Sequence, residues 1–173
     1  MKQTYRNRCY IMGPNKIQML TVPVHYHKET IFRDVTIDYH QNWVKDHRKA
    51  VQAAYGKTPF FHYFYDLFDQ IWVSKPEYLL DLSMSMMTVC LDILQIDMSF
   101  NFTIIYEQEI QKDVLDLRNI ISAKKSTESR SFYRPISYIQ NFGSNFVNNL
   151  SIIDLLMCEG PNGLNILQQS TND

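Results

Sequence analysis

Basic side chains recur within the first eight residues of the chain. The segment KQTYRNR (2–8) carries Lys2, Arg6 and Arg8, which an extended strand would turn to one face. Guanidinium groups bind phosphate and carboxylate through paired hydrogen bonds. We therefore predict that these three cations form an anion-binding face. The alternative is a charged edge strand whose cations only prevent pairing with another chain.

The charge distribution along the chain agrees with an anionic small-molecule ligand. Residues 1–57 hold ten Lys and Arg against four Asp and Glu, and the remainder holds seven against fourteen. A basic half beside an acidic half attracts anions to the basic half. The net charge of the whole chain is only −1, which argues against a general nucleic-acid binder. A solvated surface without a ligand is the alternative.

Two residues are candidates for proton transfer. His47 shares one face of a predicted helix with Trp43 and Val51, and histidine titrates near neutral pH. Glu159 stands directly before a Gly-Pro pair, where a charge has no obvious role in solubility. We take His47 and Glu159 as candidate catalytic residues. For His47 the alternative is a core histidine bonded to a backbone carbonyl.

A further cation precedes a polar stretch in the second half of the chain. Arg118 lies in DLRN (116–119), and residues 122–131 are predicted to form a flexible loop. Mobile cationic loops often close over phosphate groups, so Arg118 is a candidate ligand-binding residue. An ordinary solvated loop would have the same composition.

The sequence identifies neither a metal site nor a cofactor. His25 and His27 would share a strand face, but no third and fourth ligand accompanies them at a suitable spacing. The chain has only five glycines, and none lies in a phosphate-cradling pattern.

Hydrophobic periodicity predicts one α/β domain over residues 1–173, in which helices cover a small mixed sheet. The predicted strands lie near 5–11, 17–24, 32–39 and 100–107, and the predicted helices at 42–55, 59–72 and 75–95. Ser74 and Glu77 are predicted to cap the third helix. A short apolar helix follows over 150–161, with Ser151 and Asp154 as its predicted caps.

The cysteines and the apolar runs predict the compartment. Cys9, Cys90 and Cys158 are odd in number and far apart, which favours reduced thiols. Apolar runs stay well below the about 18–20 residues that cross a bilayer. We therefore expect a cytoplasmic protein without a membrane span.

Four segments of the chain resemble the WbqC-like protein family. They are, in family order and spacing, KQTYRNRCYI, LTVPV, IDYHQNWVKDHRKAVQAAYGKTPFF and NLSIIDLLMCEGPNGL. The resemblance implies an enzyme or accessory factor of bacterial surface-polysaccharide (O-antigen) biosynthesis that binds a phosphorylated or nucleotide-linked sugar. The alternative is a non-catalytic module that docks a partner protein on the basic N-terminal strand.

The resemblance also implies a strand–helix unit before KQTYRNR, which this chain lacks. Without such a unit, an exposed apolar patch is expected near 5–11 or 100–107. A second copy of the chain could cover that patch in a homodimer.

Overall fold

The computed structural model describes residues 5–27, 30–103, 105, 108, 113–118, 121 and 132–171. Within these ranges it has four short strands and five α-helices. The strands are β1 (Arg8–Met12), β2 (Ile17–Thr21), β3 (Val24–His25) and β4 (Thr36–Ile37). The helices are α1 (Trp43–Tyr55), α2 (Phe61–Ser74), α3 (Leu79–Leu94), α4 (Ile152–Glu159) and α5 (Gly163–Gln169).

The predicted α/β class is confirmed, with the strands arranged as two small antiparallel ladders. β1 pairs with β2 in a hairpin that sets Cys9 opposite Leu20, and β3 pairs with β4. The strand predicted over 17–24 is interrupted at Val22–Pro23, because proline has no N–H to give to a ladder.

Two predicted strands need correction. Residues 32–39 begin with a 3₁₀ turn at Phe32–Asp34, and only Thr36–Ile37 is strand. Val35 and Ile37 are both buried, as their alternation predicted. They lie in a short stretch between β3 and the start of α3. Residues 100–103 form no strand, since no described segment pairs with them, and they are exposed. Residues 104, 106 and 107 lie outside the described residues.

The helices form where the 3.6-residue period predicted them, with shifted boundaries in α2 and at the start of α3. α2 continues to Ser74, whose hydroxyl donates to the Ile71 carbonyl, and Lys75 ends it in the left-handed region at φ 50°. α3 starts only at Leu79, so the predicted Ser74–Glu77 cap is wrong. Pro76 lies between the two helices and keeps them separate.

The core lies where α1 to α4 meet the β1–β2 hairpin. Its fully buried side chains are Ile11, Val35, Val51, Tyr55, Phe68, Leu79, Leu156 and Met157. A bidentate ion pair between Arg48 of α1 and Asp69 of α2 joins the outer sides of these helices. The resulting helical layer holds α4 against the hairpin, and residues at the start of α4 line the candidate site.

Large apolar side chains are exposed after α3, at Phe100, Phe102 and Ile105. Among residues 5–11, none of the large apolar side chains is exposed to that degree. Exposed apolar side chains thus occur in part of the second expected region, whereas one contiguous patch and the homodimer stay predictions. The predicted loop at 122–131 lies outside the described residues.

Candidate ligand-binding site

The N-terminal hairpin and the start of α4 are joined by direct hydrogen bonds. Asn149 Nδ2 donates to the Tyr5 hydroxyl at 3.0 Å, and the Ser151 amide donates to the Tyr10 carbonyl at 2.7 Å. Burial raises the pKa of the Cys9 thiol. A hydrogen bond with the Ser151 side chain partly offsets this rise. The Asn149–Tyr5 and Ser151–Tyr10 bonds join residues about 140 positions apart in sequence.

The corner between α1 and α2 reaches the same helix from the other side. The Tyr55 hydroxyl donates to Asp154 Oδ1 at 2.9 Å, and the Phe60 amide donates to the Met157 carbonyl at 3.2 Å. Gly160, with φ 57°, lies so close to the Phe60 ring that a Cβ would overlap it. All of these residues belong to the segments that carry the family resemblance, so the fold brings those segments together at α4.

Asp154 is the centre of a buried polar network. Its side chain is 0% exposed, and its carboxylate accepts from Tyr55 and from Tyr138 (2.7 Å) and Gln140 (2.9 Å). Ser151 does cap α4, through its hydroxyl and the Ile153 amide, but the predicted capping role of Asp154 is wrong. A carboxylate with three donors is satisfied in a dry environment, where an unpaired one would be very costly.

The tyrosines of this network are held in their neutral form. The pKa values of Tyr55 and Tyr138 are both raised, first because burial disfavours phenolate and second because the Asp154 charge repels it. Burial, and then the same charge, raises the pKa of Cys158 to about 12. At neutral pH the two hydroxyls are therefore hydrogen-bond donors to Asp154.

A cavity of about 160 Å³ lies beside this network. Its polar wall residues carry hydroxyl or amide groups, and its apolar wall includes the Phe146 ring, which packs edge-on against Tyr138 at 5.1 Å between centroids. The lining residues are Tyr133, Ile136, Tyr138, Phe146, Val147, Asn149, Leu150, Ser151, Ile152, Leu155, Ile166, Leu167 and Ser170. We take this cavity as the candidate site because two residues of its wall, Asn149 and Ser151, bond the N-terminal family segment.

A larger concavity of about 410 Å³ lies at the C-terminal end of α3. Its wall includes the carboxylates of Asp92 and Asp97 and the apolar side chains of Leu91 and Phe100. It contains no residue of the four family-like segments. Its size alone therefore does not make it the better candidate.

The predicted anion-binding cations take different positions. Arg6 is exposed, with its guanidinium carbon 5.8 Å from the centre of the Phe32 ring. Arg8 is half-buried in β1, opposite Thr21, and its Nη1 lies 3.8 Å from Met19 Sδ. Lys2 lies outside the described residues. Anion binding by these residues stays a prediction.

His47 has the surroundings of a core histidine. Its side chain is 8% exposed, its Nε2 lies 3.1 Å from the Thr21 carbonyl oxygen, and its ring packs edge-on against Trp43. Burial lowers its pKa to about 4, against the opposing effects of Thr21 and Asp46. Neither of the two cavities includes His47 in its wall. A catalytic role for His47 stays a prediction.

The remaining predicted residues lie apart from the cavity wall. Arg118 makes a bidentate pair with Asp116, with both nitrogen–oxygen distances 2.9 Å, and this pair lowers the pKa of Asp116. Glu159 ends α4 and accepts from Asn162 Nδ2 at 3.0 Å. The proposed ligand-binding role of Arg118 and the catalytic role of Glu159 stay predictions.

Three residues of the site were missed by the sequence patterns. Tyr138 and Gln140 lie in a stretch without clear periodicity, and their partner is 16 or 14 residues away. Arg134 is exposed. It lies beside the cavity, because its amide donates to the carbonyl of the wall residue Ser170 at 2.8 Å. An arginine directly before a proline and two tyrosines near it were the only local signal.

Among the described residues, no group of three or more His, Cys, Asp or Glu side chains lies close enough to hold a metal ion. Within the same ranges, no helix combines the length and the apolar character needed to cross a bilayer.

Comparison with known proteins identifies the family. No curated protein and no solved structure matches the chain. The family model of the WbqC-like protein family matches residues 1–137 and 129–166, which together span most of the chain and all of the segments that meet at α4. The chain belongs to the WbqC-like protein family.

Proposed function

We propose that this protein binds a phosphorylated or nucleotide-linked sugar, as an enzyme or accessory factor of bacterial surface-polysaccharide (O-antigen) biosynthesis. One observation carries the proposal: a small cavity with aromatic and hydrogen-bonding walls lies at the start of α4, and the wall residue Asn149 is bonded there to the distant N-terminal family segment. The biosynthetic role and a cytoplasmic location come from the family resemblance.

The chemistry of the cavity suits a sugar ring. Its wall combines the rings of Tyr138 and Phe146 with hydroxyl and amide groups from Asn149, Ser151 and Ser170. Small-molecule sites are mostly apolar with a few placed polar groups, and those for drug-sized ligands span roughly 300–1,000 Å³. A cavity of about 160 Å³ therefore takes one small unit of a ligand and leaves a nucleotide outside.

Two arginines that adjoin wall residues, or partners of wall residues, in sequence are candidates for holding the phosphate part. Arg6 follows Tyr5, which is bonded to the wall residue Asn149, and Arg134 follows the wall residue Tyr133. Both arginines are exposed. Arginine binds phosphate through two parallel hydrogen bonds, so a diphosphate leaving the cavity would meet suitable partners.

Isothermal titration with UDP-glucose, glucose 1-phosphate and UDP tests the proposal. We expect UDP-glucose to bind and Arg6→Gln to weaken it about tenfold, the loss of one charge-assisted contact. Lys49→Gln is the matched control, because it removes the same charge from an exposed position on α1. That variant should bind within about twofold of the wild type.

Absence of binding by all three compounds would refute the proposal. It would favour the alternative, a non-catalytic module that docks a partner protein. Equal weakening by Arg6→Gln and Lys49→Gln would leave sugar binding in place but remove Arg6 from the site.

A further inference from the structure

The segment that supplies the aromatic rings of the cavity wall has no regular secondary structure. Residues 134–151 contain neither helix nor strand, although they include the wall residues Tyr138, Phe146 and Val147. Among the described residues, no backbone–backbone hydrogen bond involves positions 135–150. Backbone N–H and C=O groups still need partners. The position of this segment therefore depends on contacts made by side chains.

Gln140 uses its whole side-chain amide within this part of the fold. Its Nε2 donates to the Val147 carbonyl and to Asp154 Oδ2, both at 2.9 Å, and its Oε1 accepts from the Val147 amide at 2.8 Å. The two bonds to Val147 reproduce the exchange between paired residues of an antiparallel ladder. The third bond ties this pair to a carboxylate that is fully buried.

Both aromatic rings of the wall are connected to Gln140. Tyr138 lies two residues before it and donates to the same Asp154 oxygen at 2.7 Å, whereas Phe146 directly precedes Val147. The two rings meet edge-on with 5.1 Å between their centroids. Gln140 is not one of the residues that line the cavity. Its amide thus fixes both members of the ring pair without lining the cavity.

We infer that Gln140 is a positioning residue, which holds the Tyr138–Phe146 ring pair in the arrangement that receives the sugar. The inference rests on the proposed function and names a residue outside the wall that controls the wall. A binding site is only as precise as the contacts that fix its side chains. Without the Gln140 amide, Val147 loses two partners and Phe146 is no longer held against Tyr138.

Asn141 provides a matched control. It is the next residue along the chain, it is half-buried as Gln140 is, and its Nδ2 donates to the Ala54 carbonyl at 2.5 Å. This bond ties the same segment to α1, and Ala54 is not a wall residue. Gln140→Met and Asn141→Leu each replace an amide by an apolar side chain of similar size. We expect both variants to have a lower melting temperature than the wild type.

The first test measures the ring contact in the protein without ligand. Nuclear Overhauser spectra should show a cross-peak between the Tyr138 and Phe146 ring protons in the wild type. We expect this cross-peak to be lost in Gln140→Met and kept in Asn141→Leu. A cross-peak that persists in Gln140→Met would overturn the inference and leave the proposed function intact. Loss in both variants would also overturn it, because general destabilisation would then be the cause.

The second test measures UDP-glucose binding by isothermal titration. We expect Gln140→Met to weaken binding about fivefold or more, and Asn141→Leu to stay within about twofold of the wild type. Unchanged affinity in Gln140→Met, or equal weakening in both variants, would overturn the inference alone. Absence of binding by the wild type to UDP-glucose, glucose 1-phosphate and UDP alike would overturn the proposed function as well.

Gln140→Asn keeps the inference testable if Gln140→Met does not fold. This variant retains an amide, but its side chain is one methylene shorter and cannot reach both Val147 and Asp154. We expect the same loss of the ring cross-peak and weaker UDP-glucose binding. A Gln140→Asn protein with the wild-type cross-peak and affinity would overturn the inference.

Discussion

The burial of His47 makes a quantitative prediction about pH and stability. The imidazole lies under Trp43 with its Nε2 on the Thr21 carbonyl, and burial holds its pKa at about 4. We consider His47→Gln, which removes the titrating ring and keeps an amide N–H that can reach the Thr21 carbonyl. The other four histidines, His25, His27, His40 and His62, are exposed in both proteins.

The sign and size of the effect follow from proton linkage. The unfolded chain, with an ordinary histidine pKa of 6.5, binds a proton at higher pH than the folded protein does. The free energy of unfolding is therefore greatest above pH 6.5 and falls as the pH drops toward 4. With about 1.4 kcal/mol for each pKa unit, His47 accounts for a loss of about 2.5 kcal/mol between pH 7.5 and pH 4.5.

Urea unfolding of both proteins at pH 7.5 and pH 4.5 measures this loss. Carboxylates also titrate in this range, but they are common to both proteins, so the difference between the two isolates His47. We expect the wild type to lose about 2.5 kcal/mol more than His47→Gln. Parallel pH profiles would refute the reasoning, and a wild type that gains stability in acid would mean that His47 is stabilised as a cation.

Two other substitutions test contacts around α4. Asp154→Leu removes the shared acceptor of three buried donors and should lower the free energy of unfolding in urea by about 3 kcal/mol or more. Ser151→Ala loses one helix cap and should lower it by about 1 kcal/mol. Equal losses would return Asp154 to the capping role that the sequence predicted. Gly160→Ala should lower the melting temperature more than Gly163→Ala. Gly160 has φ 57° and contacts Phe60, whereas Gly163 has a helical φ of −52°. The reverse order would contradict the described backbone at that turn.

Helical segments were predictable because their signal is local. The apolar positions of α1, such as Val51 and Tyr55, recur at the helical period and are buried as predicted. The strands were harder, because alternation indicates which side chains are buried and not whether a backbone partner exists. Val35 and Ile37 alternate beside a two-residue strand, and Phe100 and Phe102 alternate in an exposed segment with no described partner.

The candidate site was predictable only in part, because its contacts join distant residues. Ser151 and Asp154 have the spacing of a capping pair, and for Ser151 the local pattern was right. Asp154 instead bonds Tyr55, 99 residues away, and no pattern in a short window could show this. The bond between Tyr5, in the basic N-terminal segment, and Asn149 likewise joins residues too far apart for a local pattern to predict.

Saturation-transfer NMR with UDP-glucose tests the central claim most directly, because it reports which part of a bound ligand lies closest to the protein. In the proposed binding mode the glucose lies in the cavity beside Tyr138 and Phe146, and the nucleotide stays outside. We expect the glucose ring protons to receive the strongest saturation, and Tyr138→Phe to reduce it while Tyr55→Phe does not. Strongest saturation on the uracil and ribose protons, or none on any part of the ligand, would contradict the account.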